Sequence, residues 1–273
     1  MSLEGYTGRL ALVTGAGDGI GEMLAKSLAA AGMRVAVQDI RAEAAERVAR
    51  DIGETAFPVV FDVSEREACF NASDRLKADE EGLNLLWINA GVGVGASLLD
   101  ASARTVEWAY GVNVLGAIWT AQAFAPLLSA IDGPKHLGVT ASSASLVAPE
   151  APFPLYAATK HASLAVGEAL AAELRGQGIG TTLLCPGLLN TNIWDGARAR
   201  PERFGGPAYM DPAFATRWNE ALTPDVMWPL IAESISAGGG YLACITEERT
   251  AELRETRQAS IKAGWRFLNA EPS

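Results

Sequence analysis

Short apolar runs alternate with amphipathic stretches along this chain, from residue 9 to about residue 245. Runs such as Arg9–Thr14 and Arg34–Gln38 have the length and the continuous apolar character of buried strands. Each is followed by a stretch with helical periodicity, as in Ile20–Ala31. Continuous apolar strands separated by helices are typical of a parallel sheet that is covered on both faces. The sequence therefore predicts an α/β fold with one doubly wound parallel sheet.

The same alternation predicts seven strands in all. A length of 273 residues suits one open sheet, so we expect a single domain over residues 1–273 with a charged helical tail at about 246–273. Ligands bind such folds beyond the carboxyl ends of the strands. The further predicted strands are Ala56–Phe61, Leu83–Ile88, Leu137–Ala141, Ile179–Cys185 and Tyr241–Cys244, and the further helices are Ala42–Asp51, Glu65–Lys77, Ala103–Leu128, Tyr156–Arg175 and Asp225–Ser236.

The charge of the chain argues against one class of partner. Acidic residues outnumber basic ones and give a formal net charge of −10, whereas non-specific nucleic-acid binding needs a basic surface. No uninterrupted apolar run reaches the roughly 18 residues that span a bilayer. The N-terminus lacks a basic segment followed by a long apolar one. We therefore expect a cytoplasmic protein that binds neither nucleic acid nor membrane.

The cysteines and histidines show no pattern of a metal or disulfide site. Cys69, Cys185 and Cys244 lie far apart and form no C-x-x-C pair and no cluster with His136 or His161. We expect three reduced thiols packed as small hydrophobic side chains, and no metal.

A glycine-rich turn, Thr14–Gly21, joins the first predicted strand to the first helix with the spacing T-G-x-x-x-G-x-G. Glycines at such a turn let the backbone approach a pyrophosphate at the N-terminus of a helix. The alternative is a glycine-rich turn without a ligand, which its place between a strand and an amphipathic helix disfavours. The predicted cofactor contacts in this turn are Gly15, Gly17, Asp18, Gly19, Ile20 and Gly21.

Acidic residues beyond this turn bear on the choice of dinucleotide. Asp39, at the end of the second strand, can accept hydrogen bonds from the adenosine ribose and would repel a 2′-phosphate. Asp18 adds a second negative charge, so the charges favour NAD over NADP. Arg41 could instead pair with a phosphate, although we expect it to face solvent. Asp62, after the third strand, could hydrogen-bond the adenine or cap the next helix, and the sequence leaves both open.

Tyr156 and Lys160 lie four positions apart in a predicted helix and therefore share one of its faces. A lysine ammonium beside a phenol favours the phenolate and lowers the pKa of the phenol from its ordinary value of about 10. Such a phenol can take a proton from an alcohol or return it to a carbonyl. Because an isolated Y-x-x-x-K pair is usually an idle pair of surface residues, the assignment depends on what accompanies it.

Three further polar features accompany this pair. Ser143 follows the fifth strand, 13 positions before Tyr156, where its hydroxyl can hold the reacting oxygen beside the phenol. Asn89–Gly91 leave the fourth strand where the backbone must pass the cofactor closely. Asn113 is an amide in an otherwise apolar helix, and because an unpartnered buried amide is costly, it is either exposed or tied into a polar network.

Together these motifs resemble the short-chain dehydrogenase/reductase family over nearly the full length of the chain. The resemblance implies one Rossmann-type domain, usually in a homotetramer or dimer, and hydride transfer between a nicotinamide cofactor and an alcohol or carbonyl. The matching elements, in order, are Thr14–Gly21, Asp62, Asn89–Gly91, Asn113, Ser143 with Tyr156 and Lys160, and Pro186-Gly187 with Thr191. The cofactor contacts that it implies outside the first turn are Asp39, Ile40, Asp62, Val63, Asn89, Ala90, Gly91, Tyr156, Lys160, Pro186, Gly187, Leu189 and Thr191.

The resemblance also assigns a role to each reacting residue. Tyr156 is the acid/base, and Lys160 lowers its pKa and binds the nicotinamide ribose. Ser143 orients the substrate oxygen. Asn113 holds a water that relays protons past Lys160, and Thr191 contacts the carboxamide. One small departure from the family pattern is the absence of the glycine that often follows the serine.

Residues 188–224, called the lid below, correspond to the segment that closes over substrate in this family. An aromatic-rich lid suggests an apolar or aromatic substrate, whereas the alternative is that these side chains only pack the lid in place. The sequence after Thr191 also loosely resembles bacterial Cα-dehydrogenases of lignin-type aryl ethers, which oxidise benzylic secondary alcohols. The large apolar residues in question are Ile193, Trp194, Phe204, Tyr209, Met210, Phe214 and Trp218.

The sequence thus predicts an NAD-dependent dehydrogenase for a secondary alcohol with an apolar or aromatic body. An NADPH-dependent carbonyl reductase is the alternative of the same fold, and Asp18 and Asp39 speak against it. A dinucleotide-binding regulator without catalysis is the alternative from another class, and the intact catalytic residues speak against it.

Overall fold

The computed structural model describes residues 3–80, 82–146, 153–208, 220–244 and 255. One parallel sheet of seven strands forms the centre of the fold. The strands are β1 Leu10–Val13, β2 Arg34–Asp39, β3 Ala56–Val60, β4 Leu85–Ile88, β5 His136–Thr140, β6 Gly180–Pro186 and β7 Gly239–Cys244. Their order is β3-β2-β1-β4-β5-β6-β7. From β1 the strands are added outward to β3 on one side, and from β4 they are added outward to β7 on the other side. The boundary between β1 and β4 is therefore the switch point at which ligands bind in such folds.

Helices cover both faces of the sheet, and the predicted fold class is confirmed. They are α1 Gly19–Ala30, α2 Ala42–Ile52, α3 Arg66–Asp79, α4 Ala103–Tyr110, α5 Gly116–Ser129, α6 Pro154–Leu174 and α7 Trp228–Ser236. Most predicted boundaries lie within about two residues of the observed ones. The predicted tail at 246–273, apart from Glu255, and the lid residues Tyr209, Met210, Phe214 and Trp218 lie outside the described residues.

The largest difference from the prediction is a π-helical turn, Gly111–Leu115, that separates α4 from α5. Such turns arise where one extra residue is accommodated in a helix, and they are frequent at functional sites. The apolar periodicity of the sequence continues through this turn, which is why it predicted one unbroken helix. The extra residue places Asn113 on the inner side of the helix, where it is buried.

The core has two parts, one on each face of the sheet. Phe124 and Phe61 stack on one face with ring centroids 5.9 Å apart. Trp87 of β4 is fully buried on the other face, and its indole Nε1 donates to Thr140 Oγ1 at 2.9 Å. Gly138 of β5 lies against the Trp87 ring, where a Cβ atom would clash with it. The large Trp87 side chain on β4 is therefore matched by the absence of a side chain at Gly138 on the neighbouring strand β5.

The long stretch Ala103–Ser129 has the length and the apolar composition of a membrane-crossing helix, although no uninterrupted apolar run signals it in the sequence. Of its most apolar window, 61% is buried inside the fold, as in the core helix of a globular domain.

Cys69 and Cys185 are buried, as expected for structural thiols, and the side chain of Cys244 is not among those described. Within the described residues no cluster of three or more His, Cys, Asp or Glu side chains could hold a metal.

A buried polar chain crosses the sheet at the end opposite the glycine turn. His136 Nε2 lies 2.8 Å from Thr182 Oγ1, which lies 2.8 Å from Ser234 Oγ. His136 is completely buried, and this burial lowers the pKa of its imidazole to about 3. The imidazole is therefore neutral in the folded protein over most of the acid range.

We expect this histidine to weaken the fold in acid. Because its folded pKa lies below the ordinary value of about 6.5, the unfolded chain binds the extra proton between these two values. Its contribution to stability is complete above pH 6.5 and falls by up to about 1.4 kcal/mol per pH unit below it. His136→Gln, which keeps a polar group but does not titrate there, should reduce the loss of stability between pH 7 and pH 4.5 in urea unfolding. An equal loss in both proteins would contradict this assignment.

Candidate active site

A cleft of about 560 Å³ opens at the carboxyl ends of the strands. The turn after β1, the ends of β2, β4, β5 and β6, one face of α6 and the first part of the lid line it. All of the predicted cofactor contacts line this cleft except Gly17 and Gly21. Ser143, Tyr156 and Lys160 also line it, whereas Asn113 is buried beside it. The structure thus brings residues from most of the chain to one place.

The glycine turn presents bare backbone to the cleft. Gly15 has a φ of +63°, and a Cβ atom there would lie 2.8 Å from the Ala90 Cα. A Cβ atom at Gly17 would lie 2.5 Å from the Asp39 Oδ2. Helix α1 begins at Gly19 directly behind the turn. A backbone without side chains at a helix N-terminus fits the pyrophosphate of a dinucleotide.

Asp39 is fixed at the end of β2 by backbone groups. Its Oδ2 accepts from the Gly17 N–H at 3.1 Å, and its Oδ1 accepts from the Arg41 N–H at 2.9 Å. The Arg41 Nε also lies 3.3 Å from Oδ1. The expectation that Arg41 faces solvent was wrong, because this ion pair draws its side chain into the lining of the cleft. Gln38, which the sequence did not single out, accepts from the Gly15 N–H at 3.0 Å and orders the same turn.

Asp62 lies just before α3, whose N-cap residue is Glu65. Its side chain caps the turn that leads into the helix and not the helix itself. The Asp62 Oδ1 accepts from the backbone N–H and the hydroxyl of Ser64, at 2.9 and 2.6 Å, and the Oδ2 accepts from Arg203 at 2.6 Å. Asp62 therefore holds a lid residue at the rim of the cleft, and its contact with an adenine stays a prediction.

Asn89 ties the end of β4 to the glycine turn. Its Nδ2 donates to the carbonyl oxygens of Thr14 and Gly15, at 3.1 and 3.3 Å. In return, Thr14 Oγ1 accepts from the backbone N–H groups of Asn89 and Ala90, at 2.9 and 3.1 Å. These bonds set the separation of β1 and β4 at the switch point, where a cofactor would cross.

Asn113 is buried and tied into a polar network, so the alternative of an exposed amide is excluded. Its Oδ1 accepts from the Val92 N–H at 2.8 Å, and its Nδ2 donates to the Val92 carbonyl at 3.0 Å and to Thr159 at 2.9 Å. Its backbone carbonyl accepts from Ser163 Oγ at 2.7 Å. Asn113 thus braces the loop after β4 against α6, and its part in a proton relay stays a prediction.

Tyr156 and Lys160 lie on the cleft side of α6, as their spacing predicts. Both side chains are buried, with 7% and 2% exposure. The Lys160 Nζ lies 5.9 Å from the centroid of the Tyr156 ring and donates to the Thr140 carbonyl at 3.2 Å. Gly91 makes room for this ammonium, since a Cβ atom there would lie 3.1 Å from Nζ.

Burial dominates the titration of both groups. It raises the pKa of Tyr156 to about 12, although a hydrogen bond with Ser142 acts in the opposite direction. It lowers the pKa of Lys160 to about 8. Desolvation of the phenolate is thus the largest influence on Tyr156 in this structure, and a lowering of its pKa by Lys160 stays a prediction.

Two neighbouring serines follow β5 on the way to Tyr156. Ser142 is buried, and its Oγ accepts from the Ala144 N–H at 3.2 Å at the start of a short 3₁₀ turn. Ser143 is the first residue of that turn, and both serines line the cleft. The orienting role of Ser143 stays a prediction.

These two serines form a matched pair for mutation. We expect Ser143→Ala to lower turnover at least about tenfold more than Ser142→Ala, since loss of a hydrogen bond to the reacting oxygen costs on the order of a hundredfold. Steady-state kinetics of both variants, with folding checked by circular dichroism, measures this difference. A larger loss in Ser142→Ala would move the orienting role from Ser143 to its neighbour.

Trp194, from the lid, covers Tyr156. Their ring centroids are 5.1 Å apart, and Phe153 stacks on the other part of the Trp194 ring at 4.4 Å. Gly93 lies beneath Trp194, where a Cβ atom would come within 2.5 Å of the indole. Phe153 and Trp194 therefore form an aromatic wall directly beside the phenol of Tyr156.

Phe204 has a different place in the lid. It packs against α4 and the turn that follows it, with its Cζ 3.5 Å from a Cβ built on Gly111, and it does not line the cleft. The packing interpretation of the lid aromatics thus holds for Phe204, and contact of Trp194 with an apolar substrate stays a prediction. Trp194 faces the cleft, and Phe204 holds the lid to the body of the protein.

Comparison with known proteins identifies the family. Residues 9–202 match the short chain dehydrogenase family, and the chain belongs to the short-chain dehydrogenase/reductase family. It is 34% identical over 194 residues to the probable oxidoreductase EphD of Mycobacterium tuberculosis, covering 70% of this chain and 33% of EphD. The chain thus spans about a third of the length of that relative.

Two further similarities agree with the predicted family and branch. The chain is 31% identical over 213 residues to C alpha-dehydrogenase of Sphingobium sp. strain SYK-6, covering 77% of this chain and 70% of that protein. The crystal structure of a short-chain dehydrogenase/reductase from Burkholderia phymatum in complex with NAD superposes with a TM-score of 0.86 at 28% identity, covering 98% and 99% of the two chains. Solved relatives hold NAD or NADH in some cases and NADP in others.

Proposed function

We propose that the protein is an NAD-dependent dehydrogenase that interconverts a secondary alcohol and its ketone, with an apolar or aromatic group on the substrate. The observation that carries this proposal is the buried phenol of Tyr156 in one cleft with Ser143 and Lys160. These residues lie in the same cleft as the glycine turn. The NAD complex of a solved relative and the similarity to C alpha-dehydrogenase support it.

The residues divide the reaction as follows. A bound nicotinamide dinucleotide would supply the acceptor for the hydride that leaves the carbinol carbon. Tyr156, as phenolate, takes the proton of the substrate hydroxyl, while Ser143 holds the substrate oxygen. Burial makes the phenolate a minor species, so the rate of oxidation should rise with pH. Lys160, one helical turn further along the same face of α6, brings its amino group to the side of the Tyr156 ring. In the reverse direction the phenol of Tyr156 donates its proton to the carbonyl oxygen.

The aromatic wall supports an apolar substrate. Phe153 and Trp194 flank Tyr156 with apolar ring faces, and such rings attract flat apolar groups by dispersion and offset stacking. A polyol placed there would lose water from several hydroxyls without an equal number of new hydrogen bonds. Benzylic or alicyclic secondary alcohols should therefore have a higher kcat/KM than small polar alcohols.

We expect Trp194→Ala to lower kcat/KM for an aryl secondary alcohol about tenfold or more, since removal of a buried aromatic contact costs on the order of 1 to 3 kcal/mol. A short alcohol such as 2-propanol should lose much less, because it does not reach the indole. Phe204→Ala is the matched control, since it loosens the lid outside the cleft. An equal loss on both alcohols in Trp194→Ala would mean that Trp194 only holds the lid, and a preference of the unmodified protein for a polyol would reject the apolar pocket.

One observation favours a second candidate, an NADPH-dependent carbonyl reductase. Arg41 lines the cleft beside Asp39, where a guanidinium could pair with a 2′-phosphate. The Asp39 carboxylate opposes this, because it neutralises Arg41 and would repel the phosphate. A homo-oligomer, which is usual in the family, and a cytoplasmic location are further proposals.

A further inference from the structure

The carboxylate of Asp18 is paired with the lid and not with its own helix. Asp18 is the N-cap residue of α1 but makes no capping hydrogen bond. Its two oxygens accept from Asn192 Nδ2 at 3.1 and 3.0 Å. The Arg198 Nη2 contacts Asp18 Oδ2 at 2.5 Å. An aspartate at this position usually accepts from the first N–H groups of the helix, so its rotation towards the lid leaves those groups to the cleft.

The ion pair with Arg198 offsets the negative charge that Asp18 places in the glycine turn. Asp18 lines the cleft together with Gly15 and Gly19, where the N-terminus of α1 suits a pyrophosphate. A carboxylate at that place repels the pyrophosphate and would offset part of the attraction of the helix dipole. In the structure the negative charge is matched by Arg198, which is brought to it by the lid.

A second ion pair holds Arg198 in the position where it contacts Asp18. Arg198 Nη1 also donates to Asp195 Oδ2 at 2.7 Å, which fixes the guanidinium within the 3₁₀ turn Ile193–Ala199 of the lid. The Asp18 and Arg198 side chains are 31% and 23% exposed, so water screens their interaction only in part. Arg198 and Asn192 themselves line the cleft.

We propose that Arg198 sets the affinity of the protein for dinucleotides by neutralising Asp18. This inference rests on the proposed function, since it presumes that the cleft binds a dinucleotide. Arg198 is a positioning residue, and it acts through Asp18.

A double-mutant cycle tests the proposal by binding alone. The dissociation constants of NADH, ADP and adenosine are measured for the unmodified protein, Arg198→Met, Asp18→Asn and the double variant, by NADH fluorescence and competition. Arg198→Met should weaken ADP and NADH about tenfold, more at low salt, and leave adenosine nearly unchanged, because adenosine carries no phosphate. The double variant should recover most of the loss, and Arg198→Lys should retain most of the affinity.

A second lid arginine supplies the control for general loosening of the lid. Arg203 pairs with Asp62 at 2.6 Å, away from the glycine turn. Arg203→Met should therefore leave the ratio of the ADP and adenosine affinities unchanged. A change of that ratio equal to the one in Arg198→Met would overturn the proposal, because lid closure and not charge would then control binding.

Two other results would also overturn it. Unchanged ADP binding in Arg198→Met would show that the ion pair does not matter for the cleft. A double variant as weak as Arg198→Met would show that Arg198 acts without Asp18. If the unmodified protein bound neither NADH nor ADP, the proposed function would fail together with this inference, whereas normal binding in every variant would reject the inference alone.

Discussion

Tyr156→Phe should lose at least about a hundredfold in turnover, the lower end of what a general acid/base contributes. The substitution removes only the hydroxyl, so the ring still packs against Trp194. Because Tyr156 is buried, with 7% exposure, solvent water does not readily replace its hydroxyl as proton acceptor. The measurement is kcat with a secondary alcohol and NAD, together with the dissociation constant of NADH, which should change little.

Tyr110→Phe is the matched control for this result. Tyr110 lies at the end of α4 with 36% exposure and outside the cleft, so its loss of a hydroxyl should leave turnover unchanged. Near-normal turnover in Tyr156→Phe, with folding intact, would remove Tyr156 from the proposed role. A loss of NADH binding as large as the loss of turnover would instead mean that the tyrosine supports the cofactor site.

Asp39→Ala should change the cofactor preference more than any other single substitution. Hydrogen bonds to a charged group contribute on the order of 1.5 to 3 kcal/mol, so NADH should bind about ten- to a hundredfold more weakly. NADPH should bind more tightly than before, because Arg41 loses its partner and can pair with the 2′-phosphate. Titration of the intrinsic tryptophan fluorescence with each cofactor measures both changes.

The double variant Asp39→Ala with Arg41→Ala separates the two effects. The NADH loss should persist, whereas the NADPH gain should disappear. Tighter binding of NADPH than of NADH by the unmodified protein would reject the NAD preference and favour the carbonyl reductase. An NADPH gain that survives without Arg41 would show that loss of repulsion from Asp39 is sufficient.

Features fixed by backbone geometry were predictable from the sequence. The glycines of Thr14–Gly21 are required by a positive φ and by close contacts, and the i, i+4 spacing of Tyr156 and Lys160 is fixed by helix geometry. The strand pattern depends on burial on both faces, so it gave the sheet and its boundaries closely.

Features that depend on the reach of side chains across the fold were not predictable. Arg198 and Arg203 each cross to a carboxylate on a distant segment, and no local pattern specifies such a choice among several carboxylates. The pKa of Tyr156 depends on how deeply the ring is buried, which spacing does not reveal.

The central claim is that this cleft transfers a hydride from a secondary alcohol to NAD. The most direct test is incubation of the purified protein with NAD and a benzylic secondary alcohol that carries deuterium on the carbinol carbon, followed by mass spectrometry of the cofactor. The account predicts NADH with one deuterium, formed by the unmodified protein and at least about a hundredfold more slowly by Tyr156→Phe. Absence of labelled NADH over a broad panel of deuterated secondary alcohols, from a folded protein that binds NADH, would contradict it.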